Sequence, residues 1–210
     1  MLLKTIAVGP IQANCSVLAD EPSGRAIVVD CGGDVDRVAR LLEQHHLSVV
    51  AILLTHGHID HINGVPELKE LTGAPVYLHR ADEPMYLALA KQGVFFGLSA
   101  AEPPPLDGYV EHQQTLRFEG VGDVHVIHTP GHTPGGVCYR VARSPDIVFT
   151  GDTVFEGSIG RTDLWGGSYE TLIASIREGL LTLPDDTILV TGHGPRTTVG
   201  RERRHNPFLG

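Results

Sequence analysis

Thr55-His56-Gly57-His58-Ile59-Asp60-His61 follows directly on the apolar run Val49 to Leu54 and packs four nitrogen or oxygen donors into six residues. In an extended segment, residues two apart point the same way, so His56 and His58 can address one point from the end of a strand. Asp60 and His61 come where the chain turns into a helical pattern, so they face a neighbouring point. A lone His-x-His is common surface decoration. Four such donors at one strand end exceed what core packing needs and suit a cation.

The same order recurs along the chain. Ile27-Val28-Val29 leads into Asp30-Cys31-Gly32-Gly33, and Val124 to Ile127 leads into His128-Thr129-Pro130-Gly131-His132. Ile147-Val148-Phe149 leads into Thr150-Gly151-Asp152, and Ile188-Leu189-Val190 into Thr191-Gly192-His193. These short β-branched runs, bounded by turn residues, read as buried strands. If their C-terminal ends lie together, the polar groups meet on one rim, where open α/β sheets commonly bind ligands. Asp34, Asn63 and Ser168 are expected to cap helices whose apolar faces are Val35, Val38, Leu41 and Leu42; Val65, Leu68 and Leu71; and Leu172, Ile173, Ile176 and Leu180. Gly73 is expected to stop the second of these. Strands mixed with helices mean a layered α/β protein. Gly93 to Tyr109 lacks periodicity and reads as a long loop. Ala101-Glu102-Pro103-Pro104-Pro105 reads as a surface loop rather than a linker, so residues 1–210 are expected to form one domain.

Seven donors are thus available: His56, His58, Asp60, His61, His132, Asp152 and His193. A single zinc takes three or four protein ligands. Seven, including a carboxylate on a separate loop, suit two cations with Asp152 as the bridge. Taken singly, Asp152 reads as a turn residue and His193 as an ordinary loop histidine; their joint placement at strand ends argues for the metal. Imidazole and carboxylate without thiolate fit zinc, iron or manganese.

Composition narrows the function classes. The chain has 210 residues and a formal net charge of −9, which disfavours a nucleic-acid backbone as partner. No apolar run is long enough to span a membrane, and the N-terminus lacks the pattern of a secretory signal, so a cytoplasmic location is expected. The three cysteines, Cys15, Cys31 and Cys138, are scattered and read as reduced core thiols.

His56-Gly57-His58-Ile59-Asp60-His61 resembles the HxHxDH signature of the metallo-β-lactamase superfamily, and His132, Asp152 and His193 match the remaining ligands of that family in order and context. The resemblance covers almost the whole chain. It implies a four-layer αββα sandwich with the site at one edge of two packed sheets. It also implies that His56, His58 and His132 hold one metal, Asp60, His61 and His193 the other, and that Asp152 bridges. Gly151 to Asp163, Gly192-His193-Gly194-Pro195 and the tail Glu202 to Leu209 look like the short bacterial hydroxyacylglutathione hydrolases of the glyoxalase II type. With so few residues after His193, the helical C-terminal domain that helps bind glutathione in longer members is not expected here.

The activity so implied is hydrolysis of a glutathione-linked thioester such as S-lactoylglutathione by a metal-bound hydroxide. Two divalent cations serve it, zinc foremost, with iron or manganese as alternatives. Asp60 orients the nucleophile as well as binding metal, and Arg161 clamps a substrate carboxylate. The competing reading of Arg161 is an ion pair with Asp163. Gly160-Arg161-Thr162-Asp163 also resembles the persulfide dioxygenases, which use a single iron, and these are the main alternative. A lactonase, a β-lactamase or a non-enzymatic module on the same fold are more distant ones. Arg201, Arg203 and Arg204 read as a solvated face, His79 and His128 as structural, and Phe95-Phe96 as core, with a pocket lining as the alternative.

Overall fold

The computed structural model describes every residue from Met1 to Gly210. The first sheet is built, in order, from β1 (Leu2–Val8), β2 (Ala13–Asp20), β3 (Arg25–Val29), β4 (Ser48–Leu53), β5 (Val76–His79) and β6 (Gly108–Val110). Its connections carry α1 (Val35–Gln44), α2 (Ile59–Ile62), α3 (Val65–Thr72), α4 (Glu83–Leu87) and α5 (Leu89–Phe96). The chain then crosses to β7 (Thr115–Phe118), β8 (Gly122–His128), β9 (Val137–Val141) and β10 (Ile147–Gly151). A small hairpin, β11 (Val154–Phe155) with β12 (Ser158–Ile159), precedes α6 (Tyr169–Ser175). The chain closes with β13 (Ile188–Thr191), β14 (Thr197–Thr198) and α7 (Val199–His205). The second sheet has the order β14-β13-β10-β9-β8-β7.

Strand alternation builds four layers from these elements, because successive side chains face opposite sides of a sheet. On β3, Val28 packs outward with Val38, Ile62 and Leu68 of the helices, whereas Ile27 and Val29 point inward. On β4, Ile52 faces the helices, while Ala51 and Leu53 meet Val126, Tyr139 and Phe149 of the second sheet. On β10 and β13, Val148 and Leu189 pack outward against Leu172, Ile176 and Val199 of the helical layer. Phe149 and Val190 fill the space between the sheets. A strand buried on both faces must be apolar throughout, which is why these runs do not alternate with polar residues. The result is the αββα sandwich. Each fully buried Leu, Ile or Val in it contributes about 1.5–3 kcal/mol. No helix is long and apolar enough to cross a membrane.

Several local expectations need correction. Asp34 does not cap α1: its backbone is left-handed, and its carboxylate instead accepts from Gly9 N (3.1 Å) and Arg37 (3.1 Å). Asn63 does not cap α3, which starts after Gly64 with a proline in its first turn; the Asn63 amide donates to Ser99 O at 3.0 Å. Leu71 is 57% exposed, outside the core. Gly73 does end α3, and Ser168 does cap α6 by accepting from Thr171 N at 3.3 Å. The segment read as a loop from Gly93 is helical through Phe96, and Phe95 is 66% exposed rather than core. Arg201, Arg203 and Arg204 are exposed, as expected of a solvated face, and there Arg203 and Arg204 pair with Asp185 and Arg201 with Glu156 at 3.0 Å. All three cysteines are buried and free.

Candidate metal centre

The strand ends meet along one edge of the sandwich, and each sheet supplies part of the cluster. After β4 the chain bends at Thr55 and reaches His58, whose backbone is extended, before the single turn of α2. His56 and His58 come together at one point, and Asp60 and His61 at another beside it. The second sheet brings His132 after β8, Asp152 after β10 and His193 after β13.

Two trios result. Within each of His56, His58, His132 and Asp60, His61, His193, the donor atoms lie within 4.8 Å of one another. In the first, His132 Nε2 is 2.9 Å from His58 Nδ1 and 3.3 Å from His56 Nε2. In the second, His193 Nε2 is 3.4 Å from His61 Nε2 and 3.2 Å from Asp60 Oδ2. Asp152 lies between them, with Oδ2 3.6 Å from both His132 Nε2 and His193 Nε2 and Oδ1 3.3 Å from His61 Nε2.

Two of the ring tautomers follow from the partners on the far side. The Thr55 hydroxyl donates to Asp30 Oδ2 at 2.6 Å, so it must accept from His56 Nδ1–H at 3.0 Å. His132 Nδ1–H donates to Arg161 O at 2.7 Å. The Nε2 lone pairs of both rings are thereby aimed at each other with no proton between them. Buried acceptors facing one another in this way are unfavourable unless a cation sits among them. Asp152 Oδ1 is buried and makes no well-formed hydrogen bond, with His61 Nε2 at 3.3 Å its one near polar neighbour. The residues fit a pair of divalent cations.

The ionisation states agree. Burial, followed by the charge of the neighbouring histidines, holds His56 well below the usual imidazole range. Burial and the nearby His132 push His58 down to about 3. In the second trio burial also pushes His61 down, but the carboxylates of Asp152 and Asp60 outweigh it and raise it well above the ordinary value. His193 is raised in the same way, against burial, by its hydrogen bond with Asp60 and the charge of Asp152. Burial opposes ionisation of Asp152 and Asp60, yet His61 and its neighbours hold both carboxyls low.

Residues 8–193 match the family model of the metallo-beta-lactamase superfamily. The chain belongs to that superfamily. As a metallo-β-lactamase superfamily member it is a metallo-hydrolase, and its relatives span several named activities. It is 38% identical to hydroxyacylglutathione hydrolase GloC of Haemophilus influenzae, over all of this chain and 98% of that protein. It is 41% identical to the probable metallo-hydrolase YqgX of Bacillus subtilis, over all of this chain and 98% of that one. Among solved structures, the BLEG-1 B3 metallo-beta-lactamase superposes with a TM-score of 0.91 at 40% identity, covering 99% of both chains. TTHA1623 in a di-iron-bound form gives a TM-score of 0.89 at 37% identity, covering 98% of this chain and 100% of that one. ETHE1 from Myxococcus xanthus gives 0.79 at 28% identity, covering 99% and 84%.

The metallo-β-lactamase site also uses residues that sequence reading passed over. Buried Asp30 accepts from Thr55 N at 2.8 Å and from His61 Nδ1 at 3.0 Å, besides the Thr55 hydroxyl. Its donors account for both oxygens, so Asp30 orients ligands rather than binding metal. Buried Asp82 accepts from Gly57 N (2.9 Å), Thr133 Oγ1 (2.7 Å) and Gly135 N (2.6 Å), tying the loop of His56 and His58 to that of His132. Gln92 accepts from Ile59 N at 3.0 Å and donates to Gly57 O at 2.9 Å. Asn14 on β2 donates its side-chain amide to Thr191 O and Gly194 O, both at 2.9 Å, and so holds the His193 loop from the other sheet. Glycine is required at Gly151, whose φ is +47° and where a Cβ would stand 2.3 Å from Thr55 Oγ1. Arg161 pairs with Asp163 through Nε at 2.7 Å and a second nitrogen at 2.9 Å, the ion pair considered above, while still lining the cavity over the metals.

Proposed function

We propose that this chain is a metal-dependent hydrolase of thioesters of the S-lactoylglutathione kind, with His56, His58 and His132 on one cation, Asp60, His61 and His193 on a second, and Asp152 shared. The observation that carries the reading is the position of Asp152 Oδ2, 3.6 Å from a histidine of each complete trio. The full-length likeness to the protein named GloC supports the thioester. Bound divalent cations supply Lewis acidity and lower the pKa of water from 15.7 to about 7.

The chain's own groups do the rest. Asp60 lines the cavity of about 180 Å³ over the cluster, together with His58, His132, Asp152 and His193. Its carboxylate, held ionised, accepts a hydrogen bond from the attacking water at Oδ2 and so aims it. Phe96, Leu164 and Ile11 line the same cavity and exclude bulk water, which strengthens every charge inside it. The Arg161 fork stands at the cavity and takes a substrate carboxylate in exchange for Asp163. No side-chain nucleophile is needed, and the departing thiol takes its proton from the water consumed.

Metal analysis combined with two assays tests the reading: S-lactoylglutathione, with thiol release followed, and glutathione persulfide under oxygen. Two metals per chain and thiol release are expected. One iron per chain with oxygen uptake would establish the dioxygenase instead, the alternative to which Gly160-Arg161-Thr162-Asp163 points.

A further inference from the structure

Beside the metal cavity lies a larger groove of about 540 Å³, lined by Met85 and Ala88 of the α4–α5 segment, Phe95, Pro134 and Trp165, with Lys91 at its side. The two spaces share a wall. Phe96 and Leu164 face the metals, and their chain neighbours Phe95 and Trp165 face the groove. The rings form one cluster across that wall, with Phe95 and Trp165 centroids 5.4 Å apart and Phe96 and Trp165 6.3 Å apart. The groove is fixed to the metal loops as well, because Gln92, on its lining, is the residue that hydrogen-bonds Ile59 N and Gly57 O.

Phe95 is 66% exposed and Trp165 46% exposed, so two large aromatic side chains stand in water around a concave, apolar surface. Contiguous apolar surface of this kind marks a binding site more often than an accident of folding. The volume falls in the range of roughly 300–1,000 Å³ usual for small-molecule sites. A lactoyl group is short and carries a hydroxyl, and glutathione is a charged peptide; neither matches these walls. The only charged side chain on the lining is Lys91. That suits an occupant attached to an anionic thiol and disfavours a cationic one.

We propose that the groove is an acyl subsite, and that the substrates it selects are thioesters of apolar acyl groups, straight chains of about six to eight carbons or an aryl group, on an anionic thiol. The proposal rests on the thioesterase reading for the chemistry, but not for the binding. With the thioester over the metals, the acyl tail crosses the edge of the Phe96–Leu164 wall and lies in the groove against the touching rings of Phe95 and Trp165. Each methylene buried there is worth about 0.8 kcal/mol, or about fourfold in kcat/KM.

Trp165 is the single tryptophan of the chain, so its emission reports on the groove directly. The metal-loaded protein is titrated with S-octylglutathione and with S-methylglutathione, thioethers that cannot be hydrolysed. It is then assayed on acetyl, butanoyl, hexanoyl, octanoyl and lactoyl thioesters of glutathione. The expected results are a saturable change in Trp165 emission with the octyl probe at concentrations at least tenfold below the methyl probe, and kcat/KM rising up to about fourfold per methylene. Phe95→Ala should lower the octanoyl-to-acetyl ratio at least tenfold. Equal response to both thioethers overturns the acyl subsite, as does a flat chain-length series. An emission change that follows protein concentration instead of probe makes the groove a contact between copies and also overturns it. Octyl binding with no thioester cleaved leaves the groove standing and removes the thioesterase reading instead.

Discussion

The Nδ1–H of His132 is anchored on the main-chain oxygen of Arg161, 2.7 Å away. The ligand is therefore oriented by a backbone atom that no side-chain substitution at Arg161 removes. Arg161→Ala should keep the metal content of the wild type while raising KM for an anionic thioester about tenfold, as loss of a bidentate contact does. Gly160→Ala should behave in the opposite way. A Cβ there would stand 1.8 Å from Asp152 O and 3.2 Å from His132 Nδ1, so metal itself should be lost. Metal analysis of the two purified variants separates these outcomes; metal loss in Arg161→Ala would contradict the assignment of the anchor to the backbone.

Asp152 is the group both trios share. Asp152→Ala should bind at most one cation tightly and lose more than about 100-fold in activity, since even outer partners of metal ligands typically cost 10–100-fold. Far-UV circular dichroism should be unchanged, because the side chain holds no strand in place. Two tightly bound metals in this variant would show that Asp152 is not the bridge.

Asp30 gathers three hydrogen bonds from Thr55 and His61. Asp30→Asn offers one oxygen where there were two, so either Thr55 N or both the Thr55 hydroxyl and His61 Nδ1 lose their acceptor. Affinity for the cation on His61 should fall 10–100-fold, with the first trio affected less. Competition with a metal-binding dye, resolved into two sites, measures both; a uniform loss at the two sites would point to a general loosening instead.

The two trios differ in how they answer to pH. His56 and His58 are held below the ordinary imidazole value, so at neutrality they are already unprotonated and need give up no proton to a metal. His61 and His193 are raised, so a metal must displace protons there. Affinity of the second cation should consequently rise with pH more steeply than that of the first. Calorimetry in buffers of different ionisation enthalpy counts the protons released; equal release at both steps would refute the difference.

Buried Asp82 satisfies two backbone amides and the Thr133 hydroxyl. Asp82→Ala strands all three donors, at about 1–3 kcal/mol each, so a loss of about 3 kcal/mol or more in unfolding free energy is expected. Urea denaturation of the metal-free protein gives the figure directly, free of any contribution from bound ions; a loss under 1 kcal/mol would mean the loops re-pair with water.

Much of this centre was legible in the sequence because metal donors must be ionisable, and strand ends with glycine leave no other use for them. His56 through His61 announce themselves by local spacing. His132, Asp152 and His193 do so by following β-branched runs. Asp82, Gln92 and Asn14 gave no such signal. Each acts on a loop 25 or more residues away, and as single polar residues in ordinary surroundings they look like any surface group until the fold buries them. The helix caps failed for a related reason. Asp34 and Asn63 have the right chemistry for a cap, but Gly9 and Ser99 compete for them through the tertiary fold. Phe95 was misread because an apolar pair in an unpatterned stretch defaults to core, whereas here Phe96 turns inward and its neighbour turns out.

Neither trio belongs to one half of the molecule. His56, His58, Asp60 and His61 hang from the first sheet, and His132, Asp152 and His193 from the second. Any ion seated in either trio therefore fastens the two halves along a seam also clasped by Asn14, by Asp82 and by the apolar filling between the layers. Metal saturation and mechanical integrity become one variable. At a free ion level 100 times its dissociation constant, each fastener adds about 2.7 kcal/mol against unfolding, so a cell short of metal would hold the protein in a less stable form as well as an inactive one.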